Sequence, residues 1–333
     1  MESDAVVSFA SNDYLGLTAH PAVMAGARDA LDRWGAGSGS ARLIVGSRPI
    51  HSQLERALAQ WKGTEAALLF SNGFAANLGV LATLGSADVT IFSDERNHAS
   101  IIDGCRMSRA RVVVFDHLDY DSLGEGLARA SRSIVVTDTV FSMDGDVADV
   151  ARLAKLCRAH DALLVLDEAH AVLGPHVDLT SLNVLRVGTL SKFLGAMGGF
   201  VAGDRELIDL LVNRSRPFIF TTACSPADAG AALAAVKLYR SEEGTRLRSR
   251  LRSLVDLIAP GHPSPIVPVI VGGEHEAMKA SAALLERGMV VPAIRPPSVP
   301  PGRSRLRVAL SAAHTDDQVE SLQLALEEVV GRA

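Results

Sequence analysis

The sequence has few of the features that mark membrane, disulfide-bonded or metal-binding proteins. Only three cysteines occur, Cys105, Cys157 and Cys224, and they form no CxxC pair. This argues against a disulfide framework or a zinc site and suits a reducing compartment. No apolar run is long enough to span a bilayer, and no signal-peptide core follows the acidic start, Met1–Asp4. We therefore expect a cytoplasmic protein without a membrane partner or a metal.

The sequence also lacks a long run of charge of one sign. Its 33 basic and 38 acidic side chains give a net charge of -5, and the two signs are interspersed. Binding to nucleic acid or to a membrane surface therefore has no electrostatic support. Hydrophobic residues make up 48% and charged residues 21% of the 333 residues, which is typical of a globular chain. This length favours one large domain with a smaller one over a single core.

Short apolar runs alternate with helical patterns through the first two thirds of the chain. The predicted strands are Ala66–Phe70, Val89–Phe92, Arg111–Phe115, Ser133–Thr137, Leu163–Asp167, Val184–Gly188 and Gly199–Ala202. Helices are predicted between them, for example at Ser52–Trp61, Ala75–Thr83 and Val150–His160. Several of the runs are apolar on both faces, as parallel strands covered by helices are. The alternation predicts an α/β fold with a mostly parallel, doubly wound sheet.

The last third of the chain has a different pattern. A predicted helix runs from Ser225 past Tyr239, and later strands and helices follow at Ser264–Gly272, Glu276–Arg287, Arg305–Leu310 and Asp316–Val330. We expect a short N-terminal arm over residues 1–15, a large domain over 16–240 and a small α+β C-terminal domain over 241–333. The proline-rich stretch over residues 294–301 predicts a rigid loop that carries Arg295.

Two charged residues follow predicted strands, at the edge where open α/β sheets bind ligands. Asp167 can be a helix N-cap or a surface acid, or a semi-buried carboxylate that faces a cation such as a pyridinium nitrogen. Lys192 closes the string Thr189-Leu190-Ser191-Lys192. Most lysines are solvated surface charges, but one placed after an apolar strand can lose its proton and form a Schiff base. The hydroxyls of Thr189 and Ser191 suit phosphate oxygens.

Three further segments carry candidate ligand-binding groups. Asn72-Gly73-Phe74 opens a helix after a strand, where free N–H groups form an anion site, although such a glycine can simply make a tight connection. His98 is either a satisfied polar contact or an aromatic plate over a ligand ring. Ser142 is either a turn hydroxyl or a ligand contact.

Seven motifs follow one another along the chain: Ser11-Asn12-Asp13-Tyr14-Leu15-Gly16-Leu17, Gly37-Ser38-Gly39-Ser40 with Arg42 and Gly46, Asn72-Gly73-Phe74, His98-Ala99-Ser100, Phe141-Ser142-Met143-Asp144-Gly145, Asp167-Glu168-Ala169-His170 and Thr189-Leu190-Ser191-Lys192. Their order resembles that of the α-oxoamine synthases, which are fold-type I enzymes dependent on pyridoxal phosphate (PLP). The resemblance covers nearly the whole chain. It implies a PLP-dependent acyltransferase with a large seven-stranded sheet, active as a homodimer with shared active sites.

The resemblance also implies a role for each matched residue. Lys192 would form the Schiff base and move the α-proton, Asp167 would pair with the pyridinium nitrogen, His170 would hydrogen-bond the ring oxygen O3′ and His98 would stack on the ring. Ser142 would lie near O3′. The phosphate would be held by Asn72, Gly73, Phe74, Thr189, Ser191 and, from the partner subunit, Thr222. The amino-acid carboxylate would be bound by Arg307 and Asn12, with Arg295 as a further substrate-binding candidate.

Within this family, the strings Ala293–Pro300, Arg305–Arg307 and Ser311–Thr315 resemble those of members that use one substrate pair, and the resemblance implies the same pair here. It is L-alanine with a pimeloyl thioester, carried on CoA or on an acyl carrier protein, as in biotin biosynthesis. The alternatives are glycine with acetyl-CoA or succinyl-CoA, and serine with a fatty acyl-CoA. A non-catalytic PLP-fold binding protein is a third alternative. A Rossmann dehydrogenase is disfavoured because no GxGxxG follows the first strand.

Overall fold

The computed structural model describes residues 6–175, 177–180 and 182–331. The strands are β1 (Val7–Ser8), β2 (Ala66–Phe70), β3 (Thr90–Asp94), β4 (Arg111–Phe115), β5 (Ser133–Asp138), β6 (Leu163–Asp167), β7 (Val184–Thr189), β8 (Gly199–Gly203), β9 (Ile266–Gly272), β10 (Met289–Val290), β11 (Ala293–Ile294) and β12 (Ser304–Ala309). The helices are α1 (Pro21–Trp34), α2 (Pro49–Lys62), α3 (Gly73–Leu84), α4 (Ala99–Met107), α5 (Tyr120–Leu127), α6 (Val150–Ala159), α7 (Arg205–Arg214), α8 (Arg216–Ile219), α9 (Pro226–Tyr239), α10 (Glu242–Ile258), α11 (Glu274–Glu286) and α12 (Asp316–Val330).

The seven predicted strands form one sheet in the order β2-β8-β7-β6-β5-β3-β4. Neighbours from β4 to β7 run parallel, whereas β8 pairs antiparallel with both β7 and β2. The predicted mostly parallel sheet is confirmed. Several strands extend beyond their apolar runs to a polar residue, such as Asp94, Asp138 or Thr189. The ladder hydrogen bonds continue past the last apolar side chain, so hydrophobicity alone places these strand ends too early.

The central strands of the sheet are covered on both faces, which explains their apolar residues, whereas the edge strand β4 is largely exposed. In β6, Val165 packs into a core cluster with Val80 of α3, whereas Leu164 and Leu166 pack into a second cluster with Leu153 of α6. Successive side chains of a strand point to opposite faces, so each face of β6 needs its own apolar residues. Burial of this kind contributes about 1.5–3 kcal/mol for each large aliphatic side chain.

The last third forms a smaller antiparallel sheet, β11-β12-β9, whose strands pack against α11. The helix predicted to run past Tyr239 ends at that residue, because Ser241 caps the start of α10 with its side chain. The predicted loop over 294–301 also begins one residue too early, since Ile294 pairs with Arg305. Residues 1–5 of the predicted arm and residues 332–333 lie outside the described residues. The domain boundaries at residues 15 and 240 stay predictions.

The segment before α1 is held by the last third of the chain. Here β1 pairs in parallel with β10, and the Ala309 and Ala312 N–H groups donate to the carbonyls of Phe9 and Tyr14, each at 2.8 Å. This places Asn12 and Tyr14 beside β12. Within the part of the chain that the structure describes, every helix is too short or too polar to cross a membrane.

Candidate active site

A cavity of about 190 Å³ opens at the carboxyl ends of β5, β6 and β7. We call it the Lys192 cavity. Its lining residues are Asn72, Gly73, Phe74, Asn77, His98, Ser100, Asp138, Asp167, Ala169, His170, Gly188, Thr189, Ser191 and Lys192. Nine of the predicted site residues are thus brought together from four separate segments of the chain. This is the edge at which ligands of open α/β sheets bind.

Lys192 and Asp167 line the same cavity. Burial lowers the pKa of Lys192 below its ordinary value, and the carboxyls of Asp167 and Asp138 oppose that shift only in part. The Nζ atom lies 2.8 Å from Nε2 of His170. A lysine with a lowered pKa has a larger fraction of nucleophilic amine near neutral pH, as Schiff-base formation requires.

Asp167 is held by two hydrogen-bond donors. The Asn77 side chain donates from Nδ2 to Oδ2 at 2.6 Å, and the Ala169 N–H donates to Oδ1 at 2.9 Å. Donors of this kind favour the ionised carboxylate. The neighbouring Asp138 is buried, and burial together with the Asp167 charge raises its pKa well above the usual range. Of these two carboxyls, Asp167 is the one that the Asn77 amide and the Ala169 N–H hold in place.

His98 presents a neutral imidazole to the cavity. Burial lowers its pKa, although the Asp167 charge opposes the shift. Its Nδ1 atom lies 2.8 Å from Oγ of Ser100, and its backbone N–H donates to Asp138 at 2.7 Å. The aromatic ring of Phe74 stands edge-on to it, with centroids 6.5 Å apart. These contacts fix the ring without giving it a charge.

The start of α3 forms an anion-binding end. The Asn72 side chain caps the helix by accepting from the Ala75 N–H at 2.8 Å. The N–H groups of Gly73 and Phe74 lie in the first turn, so the helix itself offers them no acceptor. A Cβ atom added to Gly73 would come within 3.3 Å of the Thr189 side chain, so glycine keeps this corner open. The Thr189 and Ser191 hydroxyls lie 2.7 Å apart at the same corner.

Arg307 lies on β12 and reaches the segments next to the cavity. Its Nε donates to the carbonyl of Ser142 at 2.6 Å, and an Nη atom donates to Oδ1 of Asn12 at 3.1 Å. Its side chain is buried. The Asn12 oxygen also accepts from the Tyr14 hydroxyl, at 2.9 Å. A buried guanidinium with only neutral partners is suited to an incoming carboxylate.

Three predicted residues lie elsewhere. Thr222 bridges to Ala41 in a separate part of the surface, and Arg295 is exposed after β11. Ser142 contacts the site through its backbone oxygen. None of the three lines the Lys192 cavity.

The structure also adds polar residues that the sequence reasoning did not assign. They are Tyr14, Asn77, Ser100 and Asp138. The signal for two of them was present in the sequence, because Tyr14 and Ser100 belong to the matched motifs. Asn77 could have been found from its spacing, since it lies one helical turn after Gly73, at the open start of α3.

Taken together, these groups fit PLP. The cavity offers an amine for an aldehyde, a carboxylate for a pyridinium nitrogen and N–H groups with hydroxyls for a phosphate. Each comes from a different strand end or helix start, so they surround one space.

Comparison with known proteins agrees with this chemistry. The family model described as aminotransferase class I and II matches residues 4–326. A protein of Anaeromyxobacter dehalogenans strain 2CP-1, named 8-amino-7-oxononanoate synthase, is 50% identical over 98% of this chain and 87% of its own length. A protein of the same name from Methylobacterium sp. strain 4-46 is 49% identical over 97% of this chain and 86% of its own length.

Solved structures show the same fold. A serine palmitoyltransferase from S. paucimobilis with bound PLP is 30% identical, with a TM-score of 0.91 over 97% of this chain and 88% of that one. An 8-amino-7-oxononanoate synthase from Francisella tularensis is 26% identical, with a TM-score of 0.81 over 98% of each chain. The chain belongs to the aminotransferase class I and II family and, within it, to the 8-amino-7-oxononanoate synthases.

Proposed function

We propose that the protein is a PLP-dependent acyltransferase of biotin biosynthesis, acting in the cytoplasm. It joins L-alanine to a pimeloyl thioester, carried on CoA or on an acyl carrier protein, and releases carbon dioxide and the thiol to give 8-amino-7-oxononanoate. The observation that carries the proposal is that the Lys192 amine and the Asp167 carboxylate face one cavity. Relatives that are 50% identical bear this enzyme's name, whereas the structural neighbour that uses serine is 30% identical.

Bound PLP supplies an electron sink for negative charge at the α-carbon of the amino acid. Lys192 would hold its aldehyde carbon, and Asp167 would face its ring nitrogen. Asn77 and the Ala169 N–H donate to the Asp167 carboxyl and hold it where it would face a protonated ring nitrogen. The first turn of α3 and the Thr189 hydroxyl would hold the phosphate.

Arg307 would bind the carboxylate of alanine, with the Ser142 carbonyl and the Asn12 side chain fixing its guanidinium. Lys192 would act as the base that removes the α-proton, because burial lowers its pKa and so raises the fraction of free amine. His170 would hydrogen-bond the ring oxygen O3′ of the cofactor, and the His98 ring would lie against its face.

The homodimer is part of this proposal. Residues 42–46 and 220–222 adjoin through the bridge between Ala41 and Thr222. They expose large apolar side chains, including Ile44, which is 74% exposed, and Phe220, which is 69% exposed. A second copy that covers this surface would remove it from water and bring Thr222 to the partner's phosphate site.

The first experiment measures absorbance after incubation with PLP. The wild type should gain a visible absorbance band, as expected when a lysine holds PLP covalently, and Lys192→Ala should lack it. Lys155→Ala, at an exposed lysine of α6, is the matched control and should keep the band. A wild type that stays colourless would overturn the proposal.

The second experiment tests the substrates. L-Alanine, glycine and serine are each combined with pimeloyl, acetyl, succinyl and palmitoyl thioesters, and thiol release and product mass are followed. Alanine with the pimeloyl thioester should give the highest kcat/KM. Faster turnover with glycine or serine would assign the protein to a different α-oxoamine synthase activity.

A further inference from the structure

A continuous chain of hydrogen bonds joins Lys192 to Arg307. Lys192 Nζ lies 2.8 Å from His170 Nε2, and His170 Nδ1 lies 2.6 Å from the Tyr14 hydroxyl. The same hydroxyl lies 2.9 Å from Oδ1 of Asn12, which accepts from Arg307 at 3.1 Å. The chain therefore connects the amine that would hold the cofactor to the guanidinium that would bind the substrate carboxylate.

Each group in this chain of hydrogen bonds has a fixed number of protons to donate. Arg307 can only donate, so Asn12 must present its oxygen to it. Burial, followed by the charges of Lys192 and Arg307, lowers the pKa of His170 well below its ordinary value, so its imidazole carries one N–H. Burial likewise raises the pKa of Tyr14, so its hydroxyl stays protonated. One hydroxyl proton thus has two acceptors within reach, Asn12 and His170.

Two arrangements satisfy every group. In the first, Lys192 donates as an ammonium to Nε2 of His170, the Nδ1–H of His170 donates to Tyr14, and Tyr14 donates to Asn12. In the second, Tyr14 donates to Nδ1 of His170, and the Nε2–H of His170 points to a neutral Lys192 or to a cofactor oxygen. The proton on Lys192 biases the choice, because an ammonium can only donate, so Nε2 must then accept, whereas a neutral amine or a cofactor oxygen can accept from the Nε2–H.

We infer that Tyr14 is a positioning residue whose hydroxyl proton sets the tautomer of His170 and thereby couples Lys192 to the Asn12–Arg307 pair. When PLP engages Lys192, the ammonium donor is lost and the second arrangement follows. Tyr14 then turns its proton away from Asn12, whose oxygen is left to Arg307 alone. The link to the substrate carboxylate rests on the proposed function, whereas the tautomer of His170 does not.

The geometry suits such a role. Tyr14 is fully buried, and its carbonyl is held by the Ala312 N–H at 2.8 Å, so its hydroxyl has little freedom to seek another partner. The titratable groups that face His170 are Tyr14, Lys192, Arg307 and His98. Among these, only Tyr14 contacts the Nδ1 atom of His170 within hydrogen-bond distance.

The test reads the tautomer directly. The full-length protein is labelled with ¹⁵N-histidine, and the His170 signals are assigned by their loss in His170→Gln. Nitrogen chemical shifts should show the Nε2–H tautomer in the PLP-loaded protein and a shift towards Nδ1–H after PLP is removed and the pH lowered. The same tautomer in both states, or an imidazolium in the loaded protein, would overturn the inference without any variant.

A second measurement uses Tyr14→Phe, which removes only the hydroxyl. The apparent pKa in an absorbance titration of the Lys192–PLP chromophore should move by about one unit, because the tautomer of His170 is no longer fixed. Tyr239→Phe is the matched control, since this buried hydroxyl donates to the Val172 carbonyl at 3.2 Å rather than to the His170 ring. A Tyr14→Phe titration that matches the wild type would also overturn the inference. If the wild type itself fails to form the PLP band, the result would instead refute the proposed function.

Discussion

Replacement of His117 by glutamine should destabilise the protein below about pH 7 and have little effect above about pH 10. The His117 ring lies between two carboxylates, with Nδ1 at 2.9 Å from Asp94 and Nε2 at 2.5 Å from Asp146. Burial alone lowers the pKa of His117, but the hydrogen bonds to Asp146 and Asp94 outweigh it and raise the pKa to about 9. The folded protein therefore binds this proton more tightly than the unfolded chain.

The magnitude follows from linkage. The folded pKa of His117 is about 9, against roughly 6.5 in the unfolded chain. This difference limits the contribution of the His117 proton to the free energy of unfolding to about 3 kcal/mol. Asp146 is 33% exposed, so solvent screening reduces the effect and we expect about 1–2 kcal/mol. Because the folded pKa is raised, the contribution is fully present below about pH 6.5 and is lost as the pH rises through about 9.

The assay is urea unfolding of wild type and His117→Gln at pH 6 and pH 10, followed by the fluorescence of Trp34 and Trp61. The difference between the two proteins should be large at pH 6 and small at pH 10. His160→Gln, at an exposed histidine that follows α6, is the matched control and should behave as the wild type. A difference that does not change between pH 6 and pH 10 would refute the reasoning.

Two further predictions concern the substrate site and the loop that adjoins it. Arg307→Ala should raise the KM for alanine by roughly 100-fold, the order expected for a lost charge-assisted pair of about 3 kcal/mol, in steady-state assays; an unchanged KM would remove its assigned role. Gly145→Ala should lower the Tm by several degrees, because φ is +69° and the added methyl group would collide with the Ile266 carbonyl. Gly261→Ala shares a positive φ of +78° but meets open space, so an equal loss in both variants would rule out the collision as the cause.

Much of the fold could be predicted because the signals are local. The seven strands of the large sheet are marked by short apolar runs, and the polar residues that follow them lie at one sheet edge by the topology of parallel strands. The strands reach further than predicted where polar residues such as Asp138 continue the ladder. The single-residue error at Ile294 arose because its pairing with Arg305 depends on a partner distant in sequence.

The site was predicted less completely, because several of its contacts join residues that are far apart in the sequence. Lys192 and Asp167 each end a strand, so their placement follows from the fold. The contact of Asn77 with Asp167 spans 90 residues, and that of Tyr14 with His170 spans 156. Nothing in the local pattern of either residue states which side chain it meets. These partners nevertheless hold the Asp167 carboxyl in place and contact Nδ1 of His170.

The backbone bonds from Ala309 and Ala312 to the segment before α1 have a consequence for how substrate occupancy would be sensed. They fix the segment that contains Asn12 and Tyr14 to β12, the strand that carries Arg307. His170 and Lys192, in contrast, follow β6 and β7 of the seven-stranded sheet. Any shift of β12 on capturing an amino acid would therefore reach the lysine through the contact of the Tyr14 hydroxyl with the His170 ring.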